Sequence, residues 1–196
     1  MLFSWLPEED TPYRRRLESI AFIGVVCMIL RLRQPVSPNF WLNINDPRIS
    51  FNGIIEYSNL TGPEVHGGRS IVYIPFYLES KRPRYGFADS ALLEEYVAAL
   101  RRVNPTFGPE LIEGYRVFRA PHAQPICETG FSAIVPPFTT PWQGCYLVES
   151  TQLYPADRVI SGTLRLAQDV VGLVLEQEGL RDRAQFRRRP PDEIPS

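Results

Sequence analysis

Between Ser19 and Arg31 the chain carries one unbroken apolar run, Ile20–Leu30, and this segment narrows the possible folds more than any other. A helix crossing the hydrocarbon core of a membrane needs about 20 apolar residues, so the run is too short to span one. Arg14, Arg15 and Arg16 precede it in the manner of an export signal. However, Glu18 sits against its start, Arg31 and Arg33 close it, and no small-residue cleavage site follows. Ile, Val and a single Gly24 inside the run point instead to a central strand buried on both faces. A cytoplasmic chain with no membrane span is the expectation.

Proline sets the second constraint. Its 19 residues in 196 are roughly twice the usual ~5%, which predicts short strands and long connections rather than a helical bundle. Hydrophobic residues at 44% and charged residues at 22% exclude wholesale disorder. The length allows one large domain or two small ones. A net charge of −1 argues against a general nucleic-acid or membrane-surface binder, since both need surplus positive charge. Cys27, Cys127 and Cys145 have neither the number nor the spacing for a disulfide framework or a metal knuckle, and read as buried thiols in a reducing compartment.

The polar N-terminal segment, residues 1–19, ends in what reads as the last turns of a helix over Tyr13–Ser19. Strands are predicted over Ile20–Arg33, Phe40–Ile44, Ser50–Tyr57 and Ser70–Leu78, separated by turn residues and with no helix between them. That succession implies antiparallel or mixed pairing. A helix follows from about Ser90 to Val103, capped by Asp89 or Ser90 and stopped by Asn104-Pro105. Leu92, Leu93, Tyr96, Val97, Leu100 and Val103 form its apolar stripe. Val25, Val26, Ile29, Leu93, Val97 and Leu100 are therefore expected to be nearly inaccessible. Tyr115–Ala120 and Tyr146–Glu149 read as further strands. A second helix over Asp157–Gln177 should bury Ile160, Leu164, Ala167, Val171 and Val174. The fold class is α+β: a mixed, largely antiparallel sheet with a few flanking helices, plus a terminal strand–helix unit. The division expected is 1–19, 20–143, 144–178 and a mobile tail over 179–196.

Chemistry is sparse. His66 and His122 are the two histidines, with no cysteine or carboxylate at ligand spacing, so no metal site is expected. No GxSxG, GxGxxG or GxxxxGK[ST] motif occurs, and no catalytic residue can be named. One segment stands out: Gly144–Arg158 feeds a short strand and a turn directly into a helix start. Free N–H groups and the positive end of the helix dipole favour an electron-rich group there. Ser161 and Gly162 keep the first turn slim. An ordinary helix packed on a sheet remains the alternative.

Several strings occur in one order: Trp41–Asn45 (WLNIN), Gly53–Asn59 (GIIEYSN), Gly67–Arg69 (GGR), Tyr73–Tyr77 (YIPFY), Phe118–Pro125 (FRAPHAQP) and Tyr154–Arg158 (YPADR). Together they resemble the C-terminal part of FAD-dependent oxidoreductases of the amine oxidase and protoporphyrinogen oxidase superfamily, from about Leu17 to Glu178. UDP-galactopyranose mutases are more distant relatives. The resemblance implies that residues 20 to about 140 form a substrate-binding domain and 144–178 a returning segment that contacts the flavin. By the same resemblance Ser150, Tyr154, Asp157, Arg158 and Val159 contact FAD, while Arg119, His122 and Gln124 face a small-molecule substrate. Many relatives have a Gly-Glu or Gly-Asp pair where this chain has Glu149-Ser150. The family's N-terminal GxGxxG unit has no counterpart in the sequence. The expectation is therefore part of a flavoenzyme that needs a Rossmann-type half, in cis or in trans, with self-association, poor solubility or a separately encoded N-terminal partner as the consequence. Weak or absent FAD binding is expected of the 196 residues alone. The alternative is a non-catalytic binding or interaction domain, or a truncated remnant.

Overall fold

The apolar run becomes the strand on which the sheet is built. In the computed structural model, which describes residues 6–180, the elements run α1 (Pro12–Ser19), β1 (Phe22–Leu32), β2 (Trp41–Asn43), β3 (Gly53–Glu56), α2 (Ser58–Thr61), β4 (Ser70–Leu78), α3 (Asp89–Val103), β5 (Ile112–Pro125) and α4 (Ile160–Gln177). Of the tail expected to be mobile, all but Gly179 and Leu180 lies outside the described residues. Residues 22–126 form one compact unit; residues up to 21 form a second with those from 127 onward.

In the first unit the strand order is β2-β3-β4-β1-β5, and every named pair is antiparallel. The class is α+β. Alternation along β1 sends Val26, Met28, Leu30 and Leu32 into the core. Val25, Cys27 and Ile29 on the other face are only half-buried, and Arg31 is exposed. The expectation of burial on both faces is corrected here, because α3 covers one face only. Leu92, Tyr96, Ala99 and Leu100 of α3 pack on Val72, Ile74 and the even positions of β1. Leu93 and Val97, at the margin of that stripe, stay half-buried.

The start of α3 also differs from expectation. Ala88 is the N-cap and no side chain caps the helix. Asp89 instead enters the first turn and pairs with Arg119 at 2.8 Å. The expected strand over Tyr115–Ala120 extends to fourteen residues, because an edge strand tolerates Pro121 and Pro125.

Gly24 lies where β1 passes between two neighbours. A Cβ there would meet the Leu78 carbonyl oxygen at 3.0 Å, that of Ala120 at 3.1 Å and the Tyr85 ring at 3.3 Å. Two of these are backbone atoms of flanking strands, which cannot swing away. Gly24→Ala should therefore destabilise the unit by about 1–3 kcal/mol, the usual cost of overpacking. A thermal melt checks it; an unchanged or raised midpoint would show that the sheet can open.

In the second unit Thr11 caps α1, its Oγ1 accepting from the Arg14 N–H at 3.1 Å. Leu17 packs with Leu6 and Leu147, flanked by Tyr13, Trp142 and Cys145. The Tyr13 hydroxyl donates to the Pro137 carbonyl, and its ring meets Trp142 edge-on at 6.1 Å. Burial pushes the Tyr13 phenol up to about 12. The strand expected at Tyr146–Glu149 reduces to a single antiparallel bridge, Thr139 to Tyr146. Pro136, Pro137 and Pro141 beside it remove the donors a longer ladder would need.

α4 turns its expected face outward. It buries Leu166 and Val170, while Ile160, Leu164 and Val171 are 83%, 61% and 55% exposed and Ala167 is also exposed. Val174 alone of the expected set is half-buried. The helix has apolar residues on more than one side, and helical spacing alone does not say which side meets its own unit. Cys127 is exposed rather than buried, whereas Cys27 and Cys145 are half-buried. Among the described residues no helix is long and apolar enough to cross a membrane.

Candidate functional site

The segment leading into α4 is held by its own side chains. Glu149 opens a short 3-10 turn, Ser150–Leu153, with a reciprocal cap. Its Oε2 accepts from the Thr151 N–H at 3.1 Å, and Gln152 Oε1 accepts from the Glu149 N–H at 2.8 Å. Gln152 Nε2 donates to the carbonyls of Pro136 and Leu147, both at 3.1 Å. This ties the turn to the preceding strap.

Two oxygens are left over. Glu149 Oε1 and Thr151 Oγ1 are buried with no hydrogen-bond partner. Burial pushes the Glu149 carboxyl above its ordinary range, against the lowering effect of the Thr151 N–H and the Arg158 charge. Such leftover buried acceptors cost free energy unless something meets them. In the sequence Glu149 stands out only as a strand end and a departure from a motif, and Thr151 only as one residue of Gly144–Arg158. The Glu149-x-x-Gln152 spacing was the available signal for the cap, but nothing in the sequence showed the burial.

The residues that the sequence puts forward follow this turn. Ser150 is half-buried in it. Tyr154 is partly exposed, its ring edge against Phe131 at 5.1 Å. Asp157 Oδ1 accepts from the Arg158 N–H at 2.8 Å. Val159 is the N-cap of α4, half exposed, and supplies no side-chain acceptor to the first turn. Gly162 is close to Leu153: a Cβ would lie 3.3 Å from Leu153 Cδ2. Glu149, Ser150, Thr151, Tyr154, Asp157, Arg158 and Val159 thus sit on one continuous turn and helix entry.

Arg119, His122 and Gln124 lie on β5 in the other unit. Arg119 is opposite Val26, on the side facing α3. Its guanidinium donates to the carbonyls of Tyr85 at 2.9 Å and Phe87 at 2.6 Å, besides pairing with Asp89. His122 is exposed and meets the Phe22 ring edge-on at 5.4 Å. Gln124 is exposed opposite Ile23. His66, on the turn Pro63–His66, has Nε2 2.8 Å from Thr61 Oγ1.

No family model and no curated protein matches the sequence. Solved structures do. An oxidoreductase from Methanosarcina mazei superposes with a TM-score of 0.59 at 14% identity, over 85% of this chain and 38% of its own. A protein from Exiguobacterium sp. 255-15, provisionally assigned as a protoporphyrinogen oxidase, does so with a TM-score of 0.60 at 14% identity, over 86% of this chain and 38% of its own. The chain therefore has the fold of one part of these oxidoreductase structures and spans 38% of the length of each.

Proposed function

We propose that this chain is the substrate-binding and flavin-contacting part of an FAD-dependent oxidoreductase. The observation that carries the reading is the helix entry of α4. Its first turn has no side-chain cap, and the turn before it holds two buried, unpartnered oxygens, Glu149 Oε1 and Thr151 Oγ1. Unmet oxygens of this kind call for a hydrogen-bond donor, whereas an electron-rich edge suits the uncapped helix start. The N–H groups at the start of α4 favour negative charge. Ser150, Tyr154, Asp157, Arg158 and Val159 complete that wall by resemblance. When bound, the flavin supplies a hydride acceptor at N5.

The chain's own task is then to bind the substrate, orient its C–H bond and exclude water. The face of the sheet not covered by α3, with His122 and Gln124 near the end of β5, is the substrate wall in this reading. Among the described residues no glycine loop offers itself to a pyrophosphate, so that contact falls to a Rossmann-type half in cis or in trans. The exposed apolar side of α4 at Ile160, Leu164 and Val171 suits its packing.

The test is FAD titration by equilibrium dialysis. The 196 residues alone should bind weakly or not at all, since a partial contact set must offset an association cost of at least ~4 kcal/mol. Joined to a dinucleotide-binding half, the protein should turn yellow with one FAD per chain. Failure to acquire FAD in the joined form would sink the reading. Tight binding by the 196 residues alone would show that they hold a complete dinucleotide site.

A further inference from the structure

The uncovered face of the sheet has an order of its own. The strand registers place Trp41 opposite Ile55, Ile55 opposite Tyr73, Tyr73 opposite Ile29 and Ile29 opposite Arg116. One row of side chains therefore crosses all five strands, apolar or aromatic at four positions and cationic at the last. In the next row of this face Cys27 pairs with Phe118, which is 53% exposed. Aromatic side chains on neighbouring strands of an exposed face offer a flat apolar bed.

The edge of that bed is basic. Arg31, Arg33 and Arg69 share a single carboxylate, Glu113, at 3.3, 3.8 and 2.7 Å. The hydrogen bond from Arg69 and the three positive charges hold Glu113 below the ordinary carboxylate range, so it stays ionised and neutralises one of them. Arg116 makes no ion pair or hydrogen bond among the described residues. Ile29, Arg31, Gly114, Tyr115, Arg116 and Phe118 line one cavity of about 460 Å³ at this edge. A guanidinium beside an aromatic ring and an aliphatic floor recognises an anion with a flat apolar body.

We propose that this cavity binds a small aromatic or otherwise flat apolar carboxylate, with its carboxylate on Arg116 and Arg31 and its body on Ile29 and Phe118. Charge complementarity selects the class: the row is apolar up to Arg116, and local positive charge exceeds negative. Naming that ligand a substrate rests on the function proposed above; the binding itself requires only the sheet unit.

The experiment compares 2-naphthoate with its neutral analogue 2-naphthylmethanol, titrated calorimetrically into the full chain at low salt with no flavin present. Naphthoate should bind about tenfold more tightly, as a charge-assisted pair predicts. The preference should shrink with added salt and vanish in Arg116→Gln, while Arg102→Gln on the exposed side of α3 keeps it. Phe118→Ala should weaken both ligands alike. Equal affinity for the two ligands, or a preference that survives Arg116→Gln, overturns the proposal. Because no flavin takes part, this outcome is independent of the FAD titration.

Discussion

Leu100→Ala should lower the unfolding free energy of the sheet unit by about 2–5 kcal/mol, the range for a fully buried leucine in a core that cannot collapse onto the gap. Leu100 is fully buried on α3, among Leu92, Tyr96, Ala99 and the even positions of β1. Tyr96 beside it is pinned on both sides. Its ring meets Phe51 edge-on at 5.1 Å, and the Arg84 guanidinium lies 5.8 Å from its centroid. Arg84 is itself held by Glu95 at 2.6 Å. Neighbours fixed in this way fill a void poorly. Urea denaturation followed by tryptophan fluorescence gives the number. Leu164→Ala on the exposed side of α4 is the control, expected to stay within about 0.5 kcal/mol of the parent. A similar small loss at Leu100 would mean that α3 does not pack as described.

Glu56→Leu should cost about 3 kcal/mol or more, because a buried acceptor serving several donors disappears at once. Glu56 is fully buried on β3. Its carboxylate accepts from the Val36 N–H at 2.9 Å, the Ser37 N–H at 3.0 Å and the Ser70 hydroxyl. Ser70 in turn meets Ser58, whose Oγ accepts from the Ile71 N–H at 3.2 Å. One side chain thus ties the connection after β1 to β3, α2 and β4.

Burial pushes the Glu56 carboxyl above its ordinary range, against the three hydrogen bonds that pull it down. The folded state then holds this proton more tightly than the unfolded chain does. The contribution is fully present below the ordinary carboxylate pKa and is lost as pH rises through the raised value. Glu56→Gln keeps an acceptor without the charge. The stability advantage of the parent over Glu56→Gln should therefore shrink as pH rises across that window. A difference that grows with pH would show that the three donors outweigh burial.

Much of the sheet was legible because the signals were local. The strand read at Ser70–Leu78, after the Gly67-Gly68 pair, has the same ends as β4. The stripe on α3 was legible because apolar residues there occupy one side of the helix. α4 was not, since Leu166 and Val170 on one side and Leu164 and Val171 on another satisfy helical spacing equally well. Only packing within its own unit chose Leu166 and Val170. The ladder expected at Tyr146–Glu149 stops at one bridge because the segment it meets carries Pro136, Pro137 and Pro141, and which segment it would meet is not a local property. Ser150, Tyr154, Asp157, Arg158 and Val159 were found as a sequence string. The buried oxygens beside them, on Glu149 and Thr151, appear only once the turn folds back under Pro136 and Leu147.

The sequence by itself determined most of the strand and helix segments, and that one apolar run would anchor the sheet, because periodicity, proline and turn chemistry act over a few residues; it did not show α2 between β3 and β4, and the strand read at Tyr146–Glu149 is a single bridge. Tertiary structure alone decided which faces are covered. α3 closes one side of the sheet and leaves Trp41, Ile55, Tyr73, Ile29 and Arg116 in a row on the other, five residues scattered from 29 to 116 that strand pairing brings into line. Burial and cross-strand order depend on contacts between residues far apart in the chain, and no local pattern encodes them.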